Sequence, residues 1–155
     1  MIKIISGAQT GADRAAIDFA IYNGLDYGGW VPKGRKAEDG PISPGYAKLQ
    51  EHTSPQYPPR TAANVKDSDI TLIFTMGPMA NESGCALTLR LCDKMKKPNM
   101  FCDLSQVSDE DAAFFIRPVL KDTVYKVINV AGSRESKAKG IYDRVYKVLT
   151  LAWKG

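Results

Sequence analysis

Two stretches of this chain carry residue types suited to gripping an anion. The first is Gly7, Gln9, Thr10, Gly11, Asp13 and Arg14, directly after the apolar run Ile2, Ile4, Ile5. Two glycines let the backbone turn sharply and let another atom approach it. Free amides at a helix start, with the positive end of the helix dipole, favour phosphate. Four polar residues at one turn exceed what a turn requires. The second stretch, residues 33–40, holds Lys33, Gly34, Arg35, Lys36 and Glu38 among two glycines, three cations and two acids. Flexible glycines there would let the cations close over a ligand. Neither stretch is a spaced dinucleotide fingerprint or a Walker loop, because no Lys-Ser/Thr follows Gly11.

Bond-breaking chemistry has thinner support. Glu38, Asp39, Glu82 and Glu135 are available as acids, but no spacing pairs one with another. His52 is the only histidine, and no nucleophile elbow accompanies it, which leaves no basis for a serine–histidine triad. Three cysteines match no zinc spacing and cannot all pair, and are expected as reduced thiols of a cytoplasmic protein. No metal-ligand cluster is visible, so no directly coordinated metal is expected.

The elements that must position these residues follow from periodicity. Residues 1–24 read as strand, glycine turn and helix, with Thr10 as N-cap, Asp13 as the reciprocal capping-box acid and Gly24 as the stop. A strand is expected over 27–31, ending at Pro32, and a short helix over 46–52 within a proline-rich stretch. A helix from Arg60 to Asp67 leads into a strand over 69–75, apolar on both faces as a central strand would be. Ser83 caps a helix over 83–96 whose leucines and methionine predict thorough burial. There Cys85 and Cys92 are expected as small core residues. A strand over 99–103, a helix capped by Ser108, a strand over 125–131 and an amphipathic final helix complete the chain.

Strands alternating with helices predict an α/β fold: three layers, a mostly parallel sheet, helices on both faces. The 155 residues suit one domain, 1–155, with a real core. The 44% hydrophobic and 25% charged content is that of a globular protein. No run approaches the ~18 apolar residues that cross a bilayer, and no signal peptide is expected ahead of the first strand. A net charge of +4 suits local anion binding better than coating nucleic acid or membrane. Parallel strands would bring the loops 7–14, 33–40, 76–85 and 132–137 to one edge, where such sheets bind ligands. Gly132 and Arg134 would sit there with Arg60, Asn64, Ser83 and Gly84.

A family resemblance follows from these motifs. Ser6-Gly-Ala-Gln-Thr-Gly-Ala-Asp-Arg-Ala-Ala-Ile-Asp18, then Gly28-Gly-Trp-Val-Pro-Lys-Gly-Arg-Lys-Ala-Glu-Asp-Gly40, resemble the molybdenum (molybdopterin) cofactor carrier family. Arg60 to Asp69, Asn129 to Ser136 and Gly140-Ile-Tyr142 are similar to it as well. That family sits in a Rossmann-like nucleotide-binding group with DNA-processing proteins and the phosphoribohydrolases that activate cytokinins. The resemblance implies a Rossmann-like domain, often oligomeric, binding a small phosphorylated ligand, with molybdenum cofactor as cargo. It implies Gly7 to Arg14 as the first phosphate loop and Lys33 to Glu38 as the facing loop. The group's second motif, two glycines and a hydroxyl residue, falls on Ser83-Gly84-Cys85, one glycine and one hydroxyl short. Ser133 stands where a proline is usual.

Two functions stay open at this stage. A carrier would need recognition alone: amides and cations for phosphate, Gln9 and Asn64 for polar ring edges, Trp30 for stacking or plain packing. A phosphoribohydrolase would need a carboxylate near the ribose, with Glu82 and Glu135 the candidates. Phe114, Phe115 and Trp153 are available to a homo-oligomer interface or to the core.

Overall fold

The computed structural model describes residues 1–81 and 83–155. In chain order the elements are β1 (Lys3–Ile5), α1 (Ala12–Tyr22), β2 (Asp26–Gly28), β3 (Trp30–Val31), β4 (Gln50–Glu51) and α2 (Tyr57–Asp67). They continue with β5 (Ile70–Thr75), α3 (Gly84–Met95), β6 (Asn99–Asp103), α4 (Asp109–Lys121), β7 (Val127–Gly132) and α5 (Ile141–Lys154). Five strands form one sheet in the order β2-β1-β7-β5-β6, and every pairing in it is parallel. Helices α1, α4 and α5 pack together on one face, α2 and α3 on the other. The chain winds outward from β1 to β2 and from β5 to β6 in opposite directions. The carboxyl ends of β1, β7 and β5 therefore flank the place where the winding reverses, which is where such sheets hold ligands.

Sequence chemistry explains most of this. All six residues of β5 are buried, as a strand covered on both faces must be. Helix α5 buries Ile141, Val145, Val148, Leu149 and Ala152, one stripe at helical spacing. Ser108 and Ser83 cap α4 and α3 by accepting from Asp111 N and Ala86 N. At the end of α1, Gly24 in the left-handed region (φ 68°) closes a Schellman turn. Its amide reaches Ile21 O at 3.2 Å and that of Leu25 reaches Ala20 O at 2.9 Å.

Three expectations need correction. The strand over 27–31 is two strands in two sheets, because Gly29 (φ 127°) breaks the extended run and turns the chain off the edge of the main sheet. The helix over 46–52 does not form. Its second half supplies β4, which pairs with β3 in parallel. Helix α3 is buried only on the Cys85, Ala86, Thr88 and Cys92 side, so its leucines are half-exposed. Both cysteines are free and buried, as core residues.

A core of Ile4, Phe19, Phe74, Ile128 and Leu149 fills the sheet–helix layer, and a smaller cluster of Ile17, Val31, Ile42 and Leu49 lies under the side sheet. Phe114 and Phe115 lie on the surface, 65% and 61% exposed. Trp153 is half-buried beneath the Lys121 ammonium. No helix of the described residues is long and apolar enough to cross a membrane.

Candidate functional site

The first glycine turn leaves β1 at Ser6, whose buried hydroxyl donates to Asp13 O (2.9 Å) and accepts from Ala8 N (3.0 Å). Thr10 does not cap α1. Gly11 holds that position with φ 83°, and its place is dictated by packing: a Cβ there would lie 2.4 Å from Ser133 O. Ala12 N donates to that same Ser133 carbonyl (3.2 Å), and Arg14 N to Gln9 O (3.0 Å). Several amides expected to face a phosphate are thus already partnered within the protein. The start of α1 is closed by the loop after β7.

One carboxylate ties three loops together. Glu38 accepts from the Thr10 hydroxyl, from Ser136 Oγ (2.6 Å) and from Ser136 N (3.2 Å), with Arg134 at 3.8 Å. Burial works to raise this carboxyl, but the bonds from Ser136 and Thr10 outweigh it and hold it below the usual carboxylate range. Thr10 Oγ1 also accepts from Glu135 N (3.1 Å), and Gln9 Oε1 accepts from Glu38 N (2.9 Å) and Thr10 N (3.1 Å). Arg14 makes a bidentate pair with Asp39 (2.9 and 3.2 Å) while its Nε holds Ala8 O (3.0 Å). The first turn and the 33–40 loop therefore share one rim.

Beneath them lies a buried ion pair. The Arg60 guanidinium reaches from α2 across the face of Gly7, where a Cβ would sit 2.0 Å from Arg60 Nη1. Its Nη1 is 3.8 Å from Asp13 Oδ2, and the two side chains are only 11% and 6% exposed. Burial pushes the Asp13 carboxyl up to about 6, against the opposing pull of Arg60 and of hydrogen bonds from the Gln9 and Gly132 backbone. Burial also lowers the Arg60 pKa. Two buried donors at this spot, Gln9 Nε2 and Arg60 Nε, have no partner among the described residues. Arg60 also packs on the Tyr57 ring, 5.3 Å from its centroid.

The Asp13 shift sets a pH dependence. The native state holds that proton more tightly than the unfolded chain, so stability falls as pH rises from about 4 to about 6. The loss amounts to ~3 kcal/mol and is complete above the native value. Asp13→Asn should flatten this part of a stability–pH curve measured by urea denaturation. An unchanged slope would mean that another group carries it.

The other predicted residues fall in different places. Arg35 turns away from the rim and donates to the carbonyls of Ile42 (3.0 Å), Ser43 (2.7 Å) and Tyr46 (3.2 Å). Lys33 is exposed, and Gly34 N donates to Glu51 Oε2 (2.8 Å). Asn64 is buried with both ends of its amide on the Trp30 backbone (2.8 and 3.0 Å), which leaves no edge for a ring. Trp30 Nε1 donates to Asp67 (2.8 Å). Glu135 accepts from Gly140 N (2.6 Å) and Tyr142 N (3.1 Å), so both carboxylate oxygens hold the start of α5. Gly132 is a packing glycine, since a Cβ would lie 2.4 Å from Phe74 O. Ser83 caps α3, Gly84 faces open space, and burial raises the Cys85 thiol to about 11. Glu82 lies outside the described residues.

Tyr57 and Ser136 escaped the sequence reading. Tyr57 had a signal: in Tyr-Pro-Pro-Arg the prolines occupy the first turn of a helix, which sets Tyr57 and Arg60 three apart on one face. A separate groove of about 520 Å³ runs along α1 and α5, lined by Asp18, Tyr22, Tyr142 and Tyr146. It is remote in kind from the rim, with acids and phenols in place of cations.

Residues 4–153 match the model of the circularly permutated YpsA SLOG family. No curated protein matches the chain. Among solved structures it is similar to one described as "Putative molybdenum carrier protein" from Syntrophus aciditrophicus SB. The identity is 45% and the TM-score 0.92, over 98% of this chain and 94% of that one.

Proposed function

This chain belongs to the circularly permutated YpsA SLOG family, and from that premise we propose that it binds and carries a phosphorylated small molecule of pterin or nucleotide type at the carboxyl edge of its sheet. The observation that carries this reading is the pair of buried, unpartnered donors, Gln9 Nε2 and Arg60 Nε. A buried donor left unmade costs roughly 1–3 kcal/mol, and a ligand oxygen that reached either donor would remove that cost. The name of the similar structure supports molybdenum cofactor as the cargo. Gln9 and Arg60 fit its phosphate end. No group of three His, Cys, Asp or Glu side chains among the described residues is placed to hold a metal ion, so the protein would grip such cargo through its organic part. We place the carrier in the cytoplasm, as a homo-oligomer using apolar surface such as Phe114 and Phe115.

One observation favours the alternative, a phosphoribohydrolase. Asp13 is a buried carboxyl pushed to about 6 beside a buried cation, and such groups gather at catalytic sites. The neighbouring Gln9 and Gly132 backbone and the Arg60 guanidinium, however, all favour its charged form.

Native mass spectrometry of freshly purified protein tests the carrier reading, with a retained phosphorylated ligand as the expected result. Gln9→Glu keeps an acceptor for Glu38 N and Thr10 N but turns the orphan donor into an acceptor. It should weaken a nucleoside monophosphate by about 1.5–3 kcal/mol in calorimetry. Binding equal to wild type would remove Gln9 from the site. Free base released from adenosine monophosphate, and lost in Asp13→Asn, would replace the carrier with the hydrolase.

A further inference from the structure

Around Tyr57 the rim gathers more positive charge than a single phosphate needs. Lys36 Nζ lies 4.8 Å from the ring centroid, the Arg60 guanidinium 5.3 Å and the Arg134 guanidinium 5.5 Å. The three come from three separate segments: the loop after β3, helix α2 and the loop after β7. Each gains a modest attraction from the ring face, but the three also repel one another, and Arg134 opposes the charge on Arg60. The local acids offset this only in part. Asp13 faces Arg60 from below at 3.8 Å, and Glu38 faces Arg134 at 3.8 Å while holding Thr10 and Ser136. Among the described residues no carboxylate lies within 4 Å of Lys36 Nζ. A fold that brings three like charges to one ring, with one unpaired, is built to meet negative charge from outside.

We propose that the ligand carries two anionic centres, the first at Gln9 and Arg60 and the second held by Lys36 and Arg134 across the Tyr57 ring. This rests on the reading of the rim as an anion site and adds to it the class of ligand. Arg60 joins the two subsites, because its guanidinium lies over Gly7 and also against Tyr57. The centres must therefore be close enough to share one arginine, as the phosphoryl groups of a diphosphate are. A monophosphate would fill the Gln9 side and leave Lys36 without a counter-charge.

The test is calorimetry on the full chain with inorganic phosphate and with pyrophosphate at matched ionic strength. Wild type should bind pyrophosphate at least tenfold more tightly than phosphate. The double variant Lys36→Gln, Arg134→Gln should lose that advantage, its preference for pyrophosphate over phosphate falling below about threefold, and a preference kept at tenfold overturns the second subsite. Lys66→Gln with Lys94→Gln removes the same charge from the C-terminal turns of α2 and α3 and should keep the tenfold ratio. Gln9→Glu should weaken both anions together. If wild type binds the two anions equally and Gln9→Glu weakens both, the second subsite is overturned and the anion site stands. A ratio that falls as much in the Lys66, Lys94 control reflects bulk charge and also overturns the second subsite. If wild type binds neither anion, the anion site itself falls, and the second subsite with it.

Discussion

Replacing Gly29 by alanine should cost the protein roughly 3–6 kcal/mol, combining backbone strain with overpacking. That is a large share of the 5–15 kcal/mol a domain of this kind holds in reserve. The residue adopts φ 127°, which L side chains rarely reach. The Cβ would also stand 2.1 Å from Ser6 O and 2.8 Å from Ser6 N. Neither neighbour is a flexible side chain that can swing aside. Both belong to the strand end that begins the first glycine turn, pinned by Ser6 N donating to Gly28 O at 3.2 Å. Gly24→Ala provides the contrast, because it too has positive φ (68°) but meets nothing within 4 Å. It should cost only about 1–2 kcal/mol. Urea denaturation of the two variants measures the difference. Equal losses would show that backbone conformation alone matters at Gly29 and that the approach to Ser6 is not tight.

Arg60→Ala should lose about 3–5 kcal/mol at neutral pH, the usual result of removing one partner from a buried pair. The loss comes from what remains: the Asp13 side chain, 6% exposed, with its neighbouring cation gone. Protonation relieves it. Without Arg60 the Asp13 carboxyl moves still higher than about 6, so at pH 5 it is neutral and the variant should recover most of the deficit. A loss of the same size at pH 5 and pH 7 would assign the cost to packing over Gly7 and not to the stranded charge. The same variant should bind no phosphorylated ligand at either pH, because it lacks the one side chain shared by both proposed anion subsites.

The sequence reading succeeded where a single local signal decided the outcome. β5 carries four apolar residues in six, α5 repeats at helical spacing, and Ser83 and Ser108 each precede a helix that they cap. It failed where a distant segment decided. Thr10 has the chemistry of an N-cap, but Glu38 and Glu135 N compete for its hydroxyl from 28 and 125 residues away. Arg35 and Arg14 look alike in sequence to Arg60 and Arg134. Only tertiary contacts reveal that Arg35 grips its own loop and Arg14 crosses to Asp39, while the others lie beside the Tyr57 ring. The meeting of the 7–14 and 33–40 loops was anticipated for a reason that holds only in part, since the second loop leaves the side strand β3 and not a strand of the main sheet. The closure of the α1 amides by Ser133 was not, since a backbone carbonyl leaves no mark in the residue pattern.

The Glu38 clasp has a consequence for when the molecule becomes competent. It joins Thr10, 28 positions behind it, to Ser136, 98 positions ahead. A chain emerging from the ribosome can build β1 and α1 early, yet the rim stays open until the segment past β7 has arrived. Contacts of such long sequence separation form late and slowly. Nascent or truncated chains ending before residue 132 would therefore expose the first turn with nothing to latch it, and the proposed anion site would form only in finished molecules.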